Sequence, residues 1–159
     1  MSILCAISNM LGVPVASAFK LGPELVVNGE FTDDISGWDD FYEHGSATWE
    51  NGRMRIEPSV NSQSLQRQVI PVEPGKTYFV TGHIDARCSE VYNNVAGRLS
   101  INDATDAHLL TLDQGNKQSG VVAGMFTARA DSVNVDLHGA AVAEGNVTFF
   151  DNVSVREIL

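Results

Sequence analysis

The ten residues ATWENGRMRI, 47–56, leave the chain little local choice. Asn51-Gly52 can supply both positive φ angles of a type I′ turn, the turn whose twist matches two antiparallel strands. With that turn at the tip, Trp49 faces Met54 and Ala47 faces Ile56 on one side. Glu50 faces Arg53 and Thr48 faces Arg55 on the other. Apolar and charged pairs separate cleanly, so one face of this hairpin is made for a core and the other for water. A lone hairpin is marginal in water, so further strands must cover it.

The same two-residue period recurs down the chain. Glu24–Val27 reads as a short strand ended by Asn28-Gly29, and Gln63–Val72 as a longer one closed by Glu73-Pro74-Gly75-Lys76, where Pro then Gly suits a type II turn. Within 76–86, Tyr78, Val80, Ile84 and Ala86 share one face, and Phe79, Thr81, His83 and Asp85 the other. Strands are expected at 95–101, 107–112, 120–129, 132–138 with Val133, Val135 and Leu137 inward, and 146–156. About ten short strands, with no helical periodicity after residue 22, define an all-β sandwich. At 159 residues this is one domain, 23–159, preceded by an arm, 1–22.

The last strand poses a question. In FFDNVSV, 149–155, a strict alternation puts Val147, Phe149, Val153 and Val155 on one face and Thr148, Asn152, Ser154 and Arg156 on the other. Asp151 falls in phase with the apolar set, where an unpaired carboxylate is costly.

The arm is apolar, and Ala16-Ser17-Ala18 resembles a signal-peptidase site, but no Lys or Arg precedes Lys20 to form a positive n-region. It is therefore read as a retained segment. Ile3, Leu4, Ile7, Met10 and Leu11 have helical spacing, stopped by Gly12 and Pro14, and suit packing either on the chain's own domain or on another subunit. No apolar run reaches the ~18 residues of a membrane span. The net charge of −10, from 20 acidic and 10 basic residues, opposes binding to phosphate backbones, so nucleic acid is not an expected partner. Cys5 and Cys88 stand apart from any metal-ligand spacing; free thiols are expected, with a disulfide between them as the alternative.

Catalytic signatures are missing: there is no GxSxG, HExxH or phosphate loop. His44, His83, His108 and His138 are scattered, and Asp33-Asp34 and Asp39-Asp40 are adjacent carboxylates in polar stretches. Glycoside hydrolysis needs two carboxylates held across a cleft, not side by side in a turn. A non-catalytic role is expected.

Three stretches, ELVVNGEFTDDISGW (24–38), VIPVEPGKTYFVTGHIDA (69–86) and FFDNVSVREI (149–158), together resemble the galactose-binding-like jelly roll of carbohydrate-binding modules, a domain also found in bacteriophage virion proteins. The resemblance implies a jelly-roll β-sandwich over 24–158. It also implies a structural calcium ion joining the early loop to the last strand, with Glu30 and Asp151 as its side-chain ligands. A hard cation wanting six to eight oxygens would compensate a buried carboxylate. The metal-free alternative has Asp151 accepting loop N–H groups, or turned outward at a bulge. A glycan site needs exposed aromatic platforms. Trp38 matches the family's Gly-Trp core anchor and Trp49 shares a face with Met54, which leaves Phe41, Tyr42, Phe79 and Tyr92 as candidates. The resulting expectation is a virion structural protein, capsid-decorating or tail-associated, partnered by copies of itself or other virion proteins and by surface glycans. The alternative is an extracellular carbohydrate-binding module.

Overall fold

The structure, a computed structural model, describes residues 19–42, 45–59, 63–87, 96–140 and 145–159. Among these lie the strands β1 (Leu21–Glu24), β2 (Asp39–Tyr42), β3 (Gly45–Trp49), β4 (Met54–Pro58), β5 (Gln63–Pro71) and β6 (Thr77–Arg87). They are followed by β7 (Gly97–Asp103), β8 (His108–Gln114), β9 (Ser119–Thr127), β10 (Ser132–Ala140) and β11 (Val147–Ile158). The first sheet runs β3-β4-β11-β6-β9, with β1 on the far end of β11; the second runs β2-β5-β10-β7-β8. Every pairing is antiparallel. The β-sandwich expected from the alternating pattern is what the chain forms.

The hairpin has the expected register, Trp49 opposite Met54 and Ala47 opposite Ile56, around Asn51 and Gly52 at φ 53° and 77°. Met54 and Ile56 point into the space between the sheets, where they meet Tyr78, Val80 and Ile84 of β6. From the second sheet come Leu99 and Ile101 of β7 and Val133, Val135 and Leu137 of β10. The loop from β1 to β2 adds Phe31 and Trp38, whose ring centres lie 5.8 Å apart. Truncating a fully enclosed aromatic such as Phe31 typically costs about 3–5 kcal/mol, so this loop is a structural part of the core.

Three expectations from the sequence are corrected. The first strand occupies Leu21–Glu24 and not 24–27, because beyond Glu24 the chain turns across the end of the sandwich and Gln68 of β5 grips it. Asp39–Tyr42 reads as loop but forms β2, with Asp39 set opposite Arg67, a cation that makes an acidic strand tolerable there. In β11 the simple alternation fails. Thr148 and Phe150 are the buried, inward residues of its first half; a register shift between Asp151 and Ser154, with Asn152 at φ 50°, then brings Val153 and Val155 inward. Asp151 is therefore only half-buried and faces away from the core, paired with His83. A bulge resolves the apparent buried charge.

Candidate functional site

Since Ile70, Val133, Val135, Leu137, Leu99 and Ile101 point inward, the alternation of the second sheet turns Arg67, Asn134, Asp136, His138, Ser100 and Asn102 away from the core. The outward side of an antiparallel sheet is commonly wet. Here it is not: Asp136 is 1% exposed, and Ser100, Asn102 and Asn134 are buried.

The Asp136 carboxylate is held by a bidentate fork from Arg67, Nε to Oδ1 at 2.7 Å and Nη2 to Oδ2 at 2.8 Å. Asn102 Nδ2 donates to the same Oδ2 at 2.6 Å. Arg67 Nη2 also donates to Asp106 Oδ1 at 2.8 Å, and Asn134 Nδ2 donates to that oxygen at 3.1 Å. Fork geometry and full hydrogen bonding are what allow a charge pair to persist out of water. The hydrogen bonds to Asp136 push the Arg67 guanidinium further into its charged form, against the opposing effect of burial. Above the guanidinium lies Phe41 of β2, its ring centre 3.8 Å from Arg67 Cζ and its side chain 44% exposed. Exposure rises from the Asp136 carboxylate through Arg67 to the Phe41 ring.

Along the same face, His138 Nε2 and Ser100 Oγ are 3.0 Å apart, and Arg98 forks onto Asp113 at 2.6 and 3.1 Å. Burial pushes the His138 imidazole down to about 4, so it is neutral at pH 7. Among the described residues, His138 Nδ1 and Asn102 Oδ1 have no hydrogen-bond partner. Buried polar atoms in that condition are rare in native proteins.

The outward face of the first sheet is arranged differently. Phe149 of β11 is 3% exposed, with the guanidinium carbons of Arg53 and Arg87 4.1 and 4.8 Å from its ring centre. Both arginines donate to Asp85 Oδ2, at 3.1 Å from Arg53 and at 3.0 and 2.7 Å from Arg87. Burial works to raise the Asp85 carboxyl, but Arg87 and Arg53 outweigh it and hold the group below the usual carboxylate range.

The early loop is tied to the last strand by a residue the sequence reading did not single out. Glu24 Oε1 accepts the N–H groups of Leu25, Val26 and Val155 at 3.0, 3.0 and 2.8 Å, and Oε2 accepts the Ser154 hydroxyl. Val153 N donates to Gly29 O at 2.9 Å, an approach so close that a Cβ at position 29 would stand 2.0 Å from Val153 O. Gln68 completes the clamp, accepting Val27 N at 2.7 Å and donating to the carbonyls of Val27 and Gly37.

Glu30 is exposed on the wall of a recess of about 510 Å³, shared with Thr32, Thr81, Asn152 and Arg156; Asp151 is not among its lining residues. Asp151 Oδ1 accepts the N–H of Asn152 at 2.7 Å. Among the described residues no three His, Cys, Asp or Glu side chains group as a metal site would need.

The candidate aromatics do not converge. Phe41 stands over the second sheet, whereas Phe79 is half-buried on the opposite outer face, beside Met125 and Arg156. Tyr42 closes β2 opposite Leu65, and its side chain lies outside the described part. Tyr92, Cys5, Cys88, His44 and the arm residues Ile3, Leu4, Ile7, Met10 and Leu11 also lie outside the described residues. Trp38 is a core residue as expected; Trp49 is largely exposed, its Nε1 donating to Phe31 O at 2.8 Å. The signal for the polar face was present in NVDLH, 134–138, which alternates polar and apolar. Its exclusion from water was not visible in that pattern.

No family model matches the sequence, and no curated protein matches it. Solved structures do. A carbohydrate-binding module of family 4 superposes with a TM-score of 0.64 at 15% identity, covering 83% of this chain and 99% of that one. A family 16 carbohydrate-binding module gives 0.60 at 16% identity, over 82% of this chain and 98% of that one. The enzymatically active domain of tailspike protein 4 of bacteriophage CBA120 gives 0.63 at 15% identity, over 85% of this chain but 21% of that one. The fold is thus the jelly-roll sandwich of carbohydrate-binding modules.

Proposed function

We propose that the chain is a non-catalytic carbohydrate-binding module whose glycan site is the outer face formed by β5, β10 and β7. The observation that carries this reading is the stack of Phe41 on Arg67 on Asp136. It presents an exposed ring, to which the apolar face of a sugar can pack, over a rigid polar floor. The exposed carboxylate of Asp106 and the Arg98–Asp113 pair supply acceptors and donors at the rim for hydroxyl groups. All of them sit on strands or tight turns, so little ordering is needed on binding. Likeness to whole carbohydrate-binding modules supports the same reading.

The test is affinity electrophoresis and calorimetry against soluble xylan, β-glucan and mannan. Binding should weaken at least tenfold in Phe41→Ala with thermal stability unchanged. If no polysaccharide is bound, or if Phe41→Ala binds as the parent does, the reading fails. The tailspike likeness favours a second reading, a virion component attached to the outside of a phage particle. That reading predicts the chain among the proteins of purified virions, and its absence there would exclude it.

A further inference from the structure

We propose that β9 is a self-association edge, through which two copies of the chain join their first sheets about a two-fold axis. An open sheet edge invites another chain, and proteins blunt such edges with charges, proline, bulges or shortness. The other terminal strands carry these devices. β2 has four residues, two of them aspartates, and a register shift. β8 contains His108 and Asp113 and also shifts register. β3 is five residues long and begins at Gly45, and β1 holds Gly22, Pro23 and Glu24. β9, SGVVAGMFT, has none of these: nine residues, no charge, no proline, and an unbroken register with β6 from Ser119 to Thr127.

The backbone of β9 is oriented for pairing. Gln118 O accepts from Ala86 N, and Ala128 N donates to Lys76 O, so even-numbered positions spend their polar groups on β6. In an antiparallel ladder the alternate residues point the other way. Ser119, Val121, Ala123, Met125 and Thr127 therefore direct N–H and C=O to the open edge. Their side chains lie on the outer face, where Val121 is 73% and Met125 42% exposed.

The partner that fits is a second copy. An antiparallel pairing centred on Ala123 sets Val121 opposite Met125 of the other copy in both halves and covers all four apolar side chains at once. Two chains of net charge −10 repel, and a nine-residue uncharged edge is where they can approach at least electrostatic cost. Such a two-fold contact closes on itself and leaves no open edge to propagate a fibre.

Sedimentation velocity of the full chain from 5 to 200 µM is the test. The expected result is a concentration-dependent dimer of twice 17.1 kDa. Ala123→Pro removes one open-edge donor without touching the β6 ladder, and Val121→Lys adds a charge; each should shift dissociation at least tenfold towards monomer with an unchanged circular dichroism spectrum. Val69→Lys, at an exposed site on the other sheet, should leave the dimer intact. A wild-type chain that is monomeric at 200 µM overturns the proposal. So does a dimer that survives both β9 changes but is lost on removal of residues 1–18. Glycan retention is read separately and is independent of either outcome.

Discussion

Each outer face of the sandwich carries arginine, a phenylalanine and an aspartate, but stacked in opposite order. On the first sheet Phe149 is the buried layer and Arg53 and Arg87 cover it, bridged by Asp85. On the second, Asp136 is buried, Arg67 is forked onto it edge-on, and the partly exposed Phe41 ring covers the guanidinium face. The ring of Phe149 is consumed by the protein's own cations, which makes that cluster a clasp across the β3–β4 turn, β11 and β6. The inverted arrangement buries the charge and leaves Phe41 partly exposed. The same three residue types thus hold strands together on one face and, on the proposed reading, meet a ligand on the other, according to which member contacts solvent.

The sharpest way to break the comparison is Arg67→Ala. It strands a buried carboxylate and should cost about 3–5 kcal/mol in urea denaturation. Removing Asp136 as well should recover part of that loss; a double variant no better than the single one would show that Arg67 acts through packing alone. The second test uses the neutral imidazole beneath the same face. His138 in the unfolded chain takes up a proton near pH 6.5, whereas in the folded chain it does so only near 4. The unfolded state binds more protons between these values, so stability should fall as the pH is lowered through that window, by up to about 3 kcal/mol in total. His138→Gln should flatten that slope, measured as Tm against pH; an unchanged slope would place the acid sensitivity elsewhere.

A third test separates the faces from the junction between them. Glu24→Gln weakens a carboxylate that gathers three backbone N–H groups and a hydroxyl, and should cost about 1–3 kcal/mol. EDTA should leave the parent's Tm unchanged. A chelator-induced fall, suppressed in Asp151→Asn, would instead establish the calcium bridge through Glu30 and Asp151. The smallest effect is expected at Arg87→Ala, which removes an exposed partner of Asp85 while Arg53 remains: at most about 1 kcal/mol, with glycan binding unaltered.

Much of this architecture was legible in the residues. The Asn51-Gly52 turn fixed its hairpin register, and Tyr78, Val80 and Ile84 or Val133, Val135 and Leu137 announced their inward faces. At Asp151 the strict alternation broke because Asn152 adopts a positive φ and inserts an extra residue, the outward-turning bulge that the sequence had left as one alternative. The polar floor was out of reach for another reason. Period-two reading divides a strand into inward apolar and outward polar residues, and it has no means of saying that Asp136 and Asn102 are outward yet dry. The Glu24 clasp was hidden by distance, since its main acceptor role is towards Val155, 131 positions away.

The pairing of β1 with β11 also sets how the domain would answer a pull. Leu159 N donates to Lys20 O at 2.8 Å, and Leu21 stands opposite Ile158 in an antiparallel ladder, so force applied at the two ends loads the bonds one after another, as in opening a zip. Resistance should rise where the tear reaches Gly22, whose carbonyl accepts Arg156 Nε at 2.7 Å, and then Glu24, whose carboxylate holds Val155 and Ser154. The grip of this domain under tension therefore belongs to two side chains near its border, while the sandwich behind it remains unstrained.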